Sequence, residues 1–157
     1  MALFNLGQGS FVPEASTVTF DSFDLGTENP VTTFDLPDLG TVEVSFGTNF
    51  VGQSSAPLTD GVITLSDSDP QGPLALDSDA DPVFTAEDGS ADTNPVLSGT
   101  PTFNGPISVL FSEPVAAVGL TGGFFDAVES TNIEAFDVGG NSLGLVQNTQ
   151  TGFEFFG

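Results

Sequence analysis

The sequence predicts an all-β protein: an antiparallel β-sandwich or jelly roll carrying one long acidic loop region. Three observations point there. Short segments alternate polar and apolar residues along the 157-residue chain. Turn formers separate them, drawn from 19 Gly and 11 Pro together with Asn and Asp. No window of a dozen residues shows the 3.6-residue period of an amphipathic helix.

The clearest strand is Thr41-Val42-Glu43-Val44-Ser45-Phe46, which alternates without a break. It reads as half-buried, with Val42, Val44 and Phe46 inward. Similar runs lie at residues 17–20, 31–36, 62–65, 107–111, 115–120, 131–137, 142–147 and 152–156. Gly139-Gly140-Asn141, between two of them, has the composition of a hairpin turn. Short strands at such spacing, separated by turn residues, predict a sandwich. The expected organisation is a single β-sandwich domain over 1–157, with residues 1–16 as an N-terminal arm and residues 60–95 as an acidic loop region. That stretch is rich in Asp, and Pro70, Pro73 and Pro82 forbid a regular helix. One short strand is expected near residues 83–85.

Charge limits the chemistry. The chain has 22 Asp and Glu, no Lys, Arg or His, and a formal net charge of −22. Without cations it cannot neutralise phosphates, so nucleic acid is excluded as a partner. Nor can it dock on anionic lipid by charge or grip a nucleotide through a Walker lysine. Lacking Cys as well, it cannot use Ser-His-Asp or Cys-His catalysis, Schiff bases, disulfides or soft-metal sites. What remains is carboxylate chemistry. Paired carboxylates suit glycoside hydrolysis, but so many acids make some pair inevitable. No Trp or Tyr is present to form a sugar platform. The chain is therefore not expected to be an enzyme.

The same composition does not describe a disordered chain, for 38% of residues are hydrophobic and 16 are Phe. Self-repulsion among the carboxylates is relieved by salt or bound cations. The expected setting is extracellular or at the cell surface. The N-terminal MALFNLGQGSFVPEAS lacks the basic region and long apolar run of a secretory signal, and no stretch approaches the length of a membrane helix.

Two segments suggest a hard cation such as calcium, which takes six to eight oxygens. Asp67-Ser68-Asp69-Pro70-Gln71-Gly72 begins like an EF-hand loop, but Ser78 stands where a bidentate Glu belongs. Asp77-Ser78-Asp79-Ala80-Asp81 follows, with Glu87 and Asp88 close enough in sequence to complete a shell. Asp126 is a further candidate ligand, after the glycine pair of Leu120-Thr121-Gly122-Gly123-Phe124-Phe125. That pair reads as a turn. The bland alternatives are a solvated acidic loop and a capping Asp.

The second half resembles a module of exported bacterial proteins, many of them carrying a PEP-CTERM-type sorting tail. The resemblance rests on PTFNGPISVLFSEPVAAVGLTGGFFD at 101–126 and TNIEAFDVGGNSLG at 131–144. It spans roughly residues 95–157, with weaker echoes at 40–53. It implies a jelly roll outside the cell, sometimes assigned to glycan binding, and supplies no catalytic residue. In such modules further strands follow the position of Gly152–Phe156, so an open edge is expected at this end. The apolar arm at 2–12, with Leu3, Phe4, Leu6 and Phe11, is a candidate donor strand for a neighbour's edge.

Three functions follow as expectations. The first is a self-associating structural protein (filament, sheath or surface layer), a homo-oligomer or polymer with calcium-stabilised acidic loops. The second is a monomeric module that binds glycan or another surface polymer. The third is a phage or virion decoration protein.

Overall fold

The computed structural model describes residues 5–13, 15–36, 39–57, 63–65, 69–89 and 95–157. It is all-β, with antiparallel pairing throughout the described strands. The chain divides into two compact units. One is continuous, Ser16–Glu113; the other joins Met1–Ala15 to Pro114–Gly157. They are called here the central unit and the end unit.

The central unit is built on a three-stranded sheet: β1 (Val31–Leu36), β2 (Gly40–Gly47) and β7 (Ser108–Phe111), with β2 in the middle. The alternation at 41–46 becomes β2, and Val42, Val44 and Phe46 are buried as the period requires. Register sets Phe34 opposite Val42, and Val109 opposite Phe46. Val44, Phe46 and Val83 form the core, and Val18, Phe20, Phe34, Leu97, Val109 and Phe111 pack around them. Phe20 meets Phe46 edge-on at 5.4 Å. Each such burial contributes about 1.5–3 kcal/mol.

Two smaller pairs complete this unit: β3 (Ser55–Pro57) with β4 (Ile63–Leu65), and β5 (Phe84–Ala86) with β6 (Val96–Ser98). The strand expected near 83–85 is β5. A second strap runs beside it. Gly26 and Asn29 donate to the carbonyls of Thr85 and Val83, while Thr85 N–H donates to Thr27.

Residues 17–20 depart from expectation. They do not join a ladder, and the chain instead makes a short 3₁₀ turn at Phe20–Ser22. The apolar period there reported burial correctly, since Val18 and Phe20 reach the core. Asp21 and Ser22 favour a turn over a longer strand.

The end unit holds two ribbons. β9 (Asn132–Phe136) pairs with β10 (Ser142–Gln147), and β8 (Leu120–Phe125) pairs with β11 (Gly152–Phe156). The β9–β10 hairpin turns at Gly139-Gly140-Asn141, as the composition predicts. Gly140 has φ +82°, where a side chain would be strained. Asp137 organises the turn by accepting from the backbone N–H of Gly139 and Asn141, at 2.9 and 3.0 Å, and from the Asn141 amide.

The strand expected at 115–120 begins only at Leu120. The pair Gly122-Gly123 lies inside β8 and is not a turn. The bare backbone is required there for packing: a Cβ on Gly123 would overlap the Phe153 ring, and one on Gly122 would meet Phe125 at 2.6 Å.

Candidate functional site

Most of the acidic candidates fall in the central unit, where the region read as a loop is tied to the end of β2. Asp77 N–H donates to the Asn49 carbonyl at 2.9 Å, Val51 N–H to Ala75, and Gln71 N–H to Val51. Residues 71–77 thus lie along 49–51, and Phe50 bridges to Leu76. The clamp is polar and buried. Asn49 Nδ2 donates to the Asp77 carboxylate and to the carbonyls of Phe50 and Gln53, and Gln53 Oε1 accepts from Phe50 N–H. Sequence reading missed Asn49 and Gln53. Their signal was weak: two amides four residues apart at the end of a strong strand.

Asp77 is therefore a structural acceptor. Its other oxygen receives Asp79 N–H at 3.0 Å, the form of an Asx turn. Asp69, Asp79, Asp81 and Glu87 are exposed, and Asp88 is partly buried. The Asp81 carbonyl accepts the Thr48 hydroxyl. Asp67 lies outside the described residues. Asp126 is exposed and belongs to the end unit. Among the described residues, no three Asp or Glu side chains come together in a way that could hold a metal ion. None of their helices is long and apolar enough to cross a membrane.

The end unit presents a different surface. Phe156 is its one buried hydrophobic side chain among the described residues, at 2% exposure. Leu120, Phe124, Val128, Val138, Leu145 and Phe153 are all exposed. Phe124 and Phe153 pair at 4.9 Å between ring centroids, although 56% and 44% of their surfaces face solvent. The backbone of Phe124 has φ +62°, a conformation that costs a bulky residue about 1–3 kcal/mol. A bulge between Gly152 and Glu154 places Phe153 where it meets that ring.

Exposed charge is absent from the strands of this ribbon. Residues 114–125 contain no acid, and neither do residues 138–153. β11 has one, Glu154, which is 8% exposed. Its carboxylate accepts Thr149 N–H at 2.7 Å, the Thr149 hydroxyl at 2.8 Å and Gln150 N–H at 3.1 Å. Burial alone would raise its pKa, but these three donors outweigh burial and hold it below the ordinary 4.5. Asp137 is likewise held below its ordinary 3.8, first by the Asn141 side chain and backbone.

Asn148 supports the same end of the ribbon. Fully buried, it accepts Thr131 N–H at 2.8 Å and donates to the carbonyls of Ala127 and Gln150 at 2.6 and 3.0 Å.

No protein-family model, curated protein or solved structure matches this chain.

Proposed function

We propose that the chain is a non-enzymatic structural protein of the cell exterior that associates with copies of itself through the β8–β11 ribbon of its end unit. One observation carries this reading: the ribbon exposes paired Phe rings on two strands that carry no exposed acid. An exposed apolar patch of this kind marks an association surface. The net charge of −22 narrows the choice of face. Two copies repel wherever carboxylates meet, so they approach where carboxylates are missing.

In this reading calcium or salt lowers the repulsion and makes assembly cation-dependent. The acidic residues from Asp69 to Asp88 then act chiefly as a diffuse anionic surface that gathers cations. A jelly-roll arrangement of the strands and an extracellular site belong to the same proposal, supported by the exported-module resemblance and the acidic, cysteine-free composition.

Monomeric glycan binding is the second reading. The exposed Phe124–Phe153 pair favours it, because ring faces stack on sugars. Light scattering separates the two. Scattering that rises with calcium and falls again with EDTA supports the structural reading. A chain that stays monomeric and binds immobilised glycans refutes it.

A further inference from the structure

The N-terminal arm is bound at the edge of β11. Leu6 N–H donates to the Gly157 carbonyl. The Asn5 side chain accepts Gly157 N–H at 3.3 Å. The Phe11 ring stands edge-on to Phe155 at 5.7 Å, and both rings press on Gly119, where a Cβ would overlap them. Residues 5–10 are exposed, and Phe11, which follows them, is the half-buried anchor.

The path of the chain makes this contact unusual. The arm packs in the end unit, yet its peptide chain leads at once into Ser16–Glu113. The arm and β11 are thus neighbours in space and nearly opposite ends in sequence. The seat holds the arm only by non-covalent contacts, and the arm of any second copy presents the same Asn5, Leu6 and Phe11. Charge permits that exchange. Residues 1–13 contain no acid, and neither does the 114–125 side of the seat. Exchange at this seat brings no carboxylate of residues 5–13 into a like-charged neighbour.

We propose that residues 5–13 exchange between copies, the arm of one copy occupying the Gly119–Phe155–Gly157 seat of the next. The partner is a second copy of this chain, and the proposal rests on the self-association reading above. Exchange preserves every arm contact, so the balance is set by concentration. The arm's own seat is favoured up to an effective concentration on the order of millimolar. Crowding at a surface, where copies already touch, shifts it toward exchange. Reciprocal exchange between two copies closes a dimer, and exchange passed head to tail generates rings or open filaments.

The test uses the full chain under salt and calcium conditions that give assembly. A labelled peptide of residues 5–13 is added in excess, beside a control peptide with Phe11→Ala. The expected result is severalfold lower scattering with the first peptide, co-elution of that peptide with the chain, and no effect of the control. Full-length Phe11→Ala should show weaker assembly as well. If that variant does not fold, the peptide on unaltered chain still decides. Assembly unaffected by the peptide overturns arm exchange while leaving association through the ribbon intact. A chain that never assembles under any cation condition overturns both.

Discussion

The two units reach stability by different means. The central unit buries Val42, Val44, Phe46, Phe50 and Val83, whereas the end unit buries Phe156 alone among its described hydrophobic side chains. One unit is organised around an apolar core. The other is held by ladder bonds, by turn-capping carboxylates at Asp137 and Glu154, and by the buried amide of Asn148. Two of its Phe rings, Phe124 and Phe153, face outward. Under the proposed self-association, these two rings are the surface that a like-charged copy would meet.

The contrast can be broken most severely at its strong end. Phe46→Ala should destabilise the central unit by about 3–5 kcal/mol, measured by denaturant unfolding. Asn148→Ala should come next. It leaves Thr131 N–H and the Ala127 carbonyl without their buried partner, a loss of roughly 2–4 kcal/mol. Asn148→Asp should be no rescue, because a carboxylate would face two carbonyl oxygens.

Glu154→Gln sharpens the comparison through pH. The folded pKa of Glu154 lies below its unfolded value, so the folded state binds fewer protons in that window. Its stabilisation is present above the ordinary 4.5 and is lost as pH falls through the folded value. Thermal melts of wild type should therefore lose stability in acid, and Glu154→Gln should remove part of that slope. Asp137 adds a second contribution of the same sign below its ordinary 3.8. Association should move the opposite way, since protonating carboxylates relieves repulsion between copies.

Phe124→Gly should have the smallest effect on folding. Glycine in a strand costs about 0.5–1 kcal/mol, and the lost ring pair about 0.5–1.5 kcal/mol. Relief of the positive φ offsets them by about 1–3 kcal/mol. Stability should stay within about 1 kcal/mol of wild type, while cation-driven assembly weakens clearly. A variant that assembles normally would remove Phe124 from the contact.

Local signals explain which elements could be read from sequence. β2 announces itself by unbroken alternation, β1 and β10 by runs bounded by turn formers, and the β9–β10 turn by its glycines. Gly122-Gly123 misled because a glycine pair is the usual mark of a turn, whereas here each glycine makes room for a ring carried by another residue. In the Asn49–Gln53–Asp77 clamp the bond from Asn49 to Asp77 spans 28 residues, and no local pattern announces it. The acidic alternation at 77–81 is legible in the sequence, whereas the part Asp77 plays in its own turn is not. The seat of the arm was hardest to foresee, for nothing local links Leu6 and Phe11 with Gly157 and Phe155. The arm's apolar character was legible, but its destination was not.

Amide hydrogen exchange read by mass spectrometry, on monomeric and cation-assembled chain side by side, tests the asymmetry most directly. New protection on assembly should fall on peptides covering 120–125 and 152–157, with β2 equally protected in both states. Protection that instead appears across 31–47 or 69–89, with the β8–β11 ribbon unchanged, would contradict it.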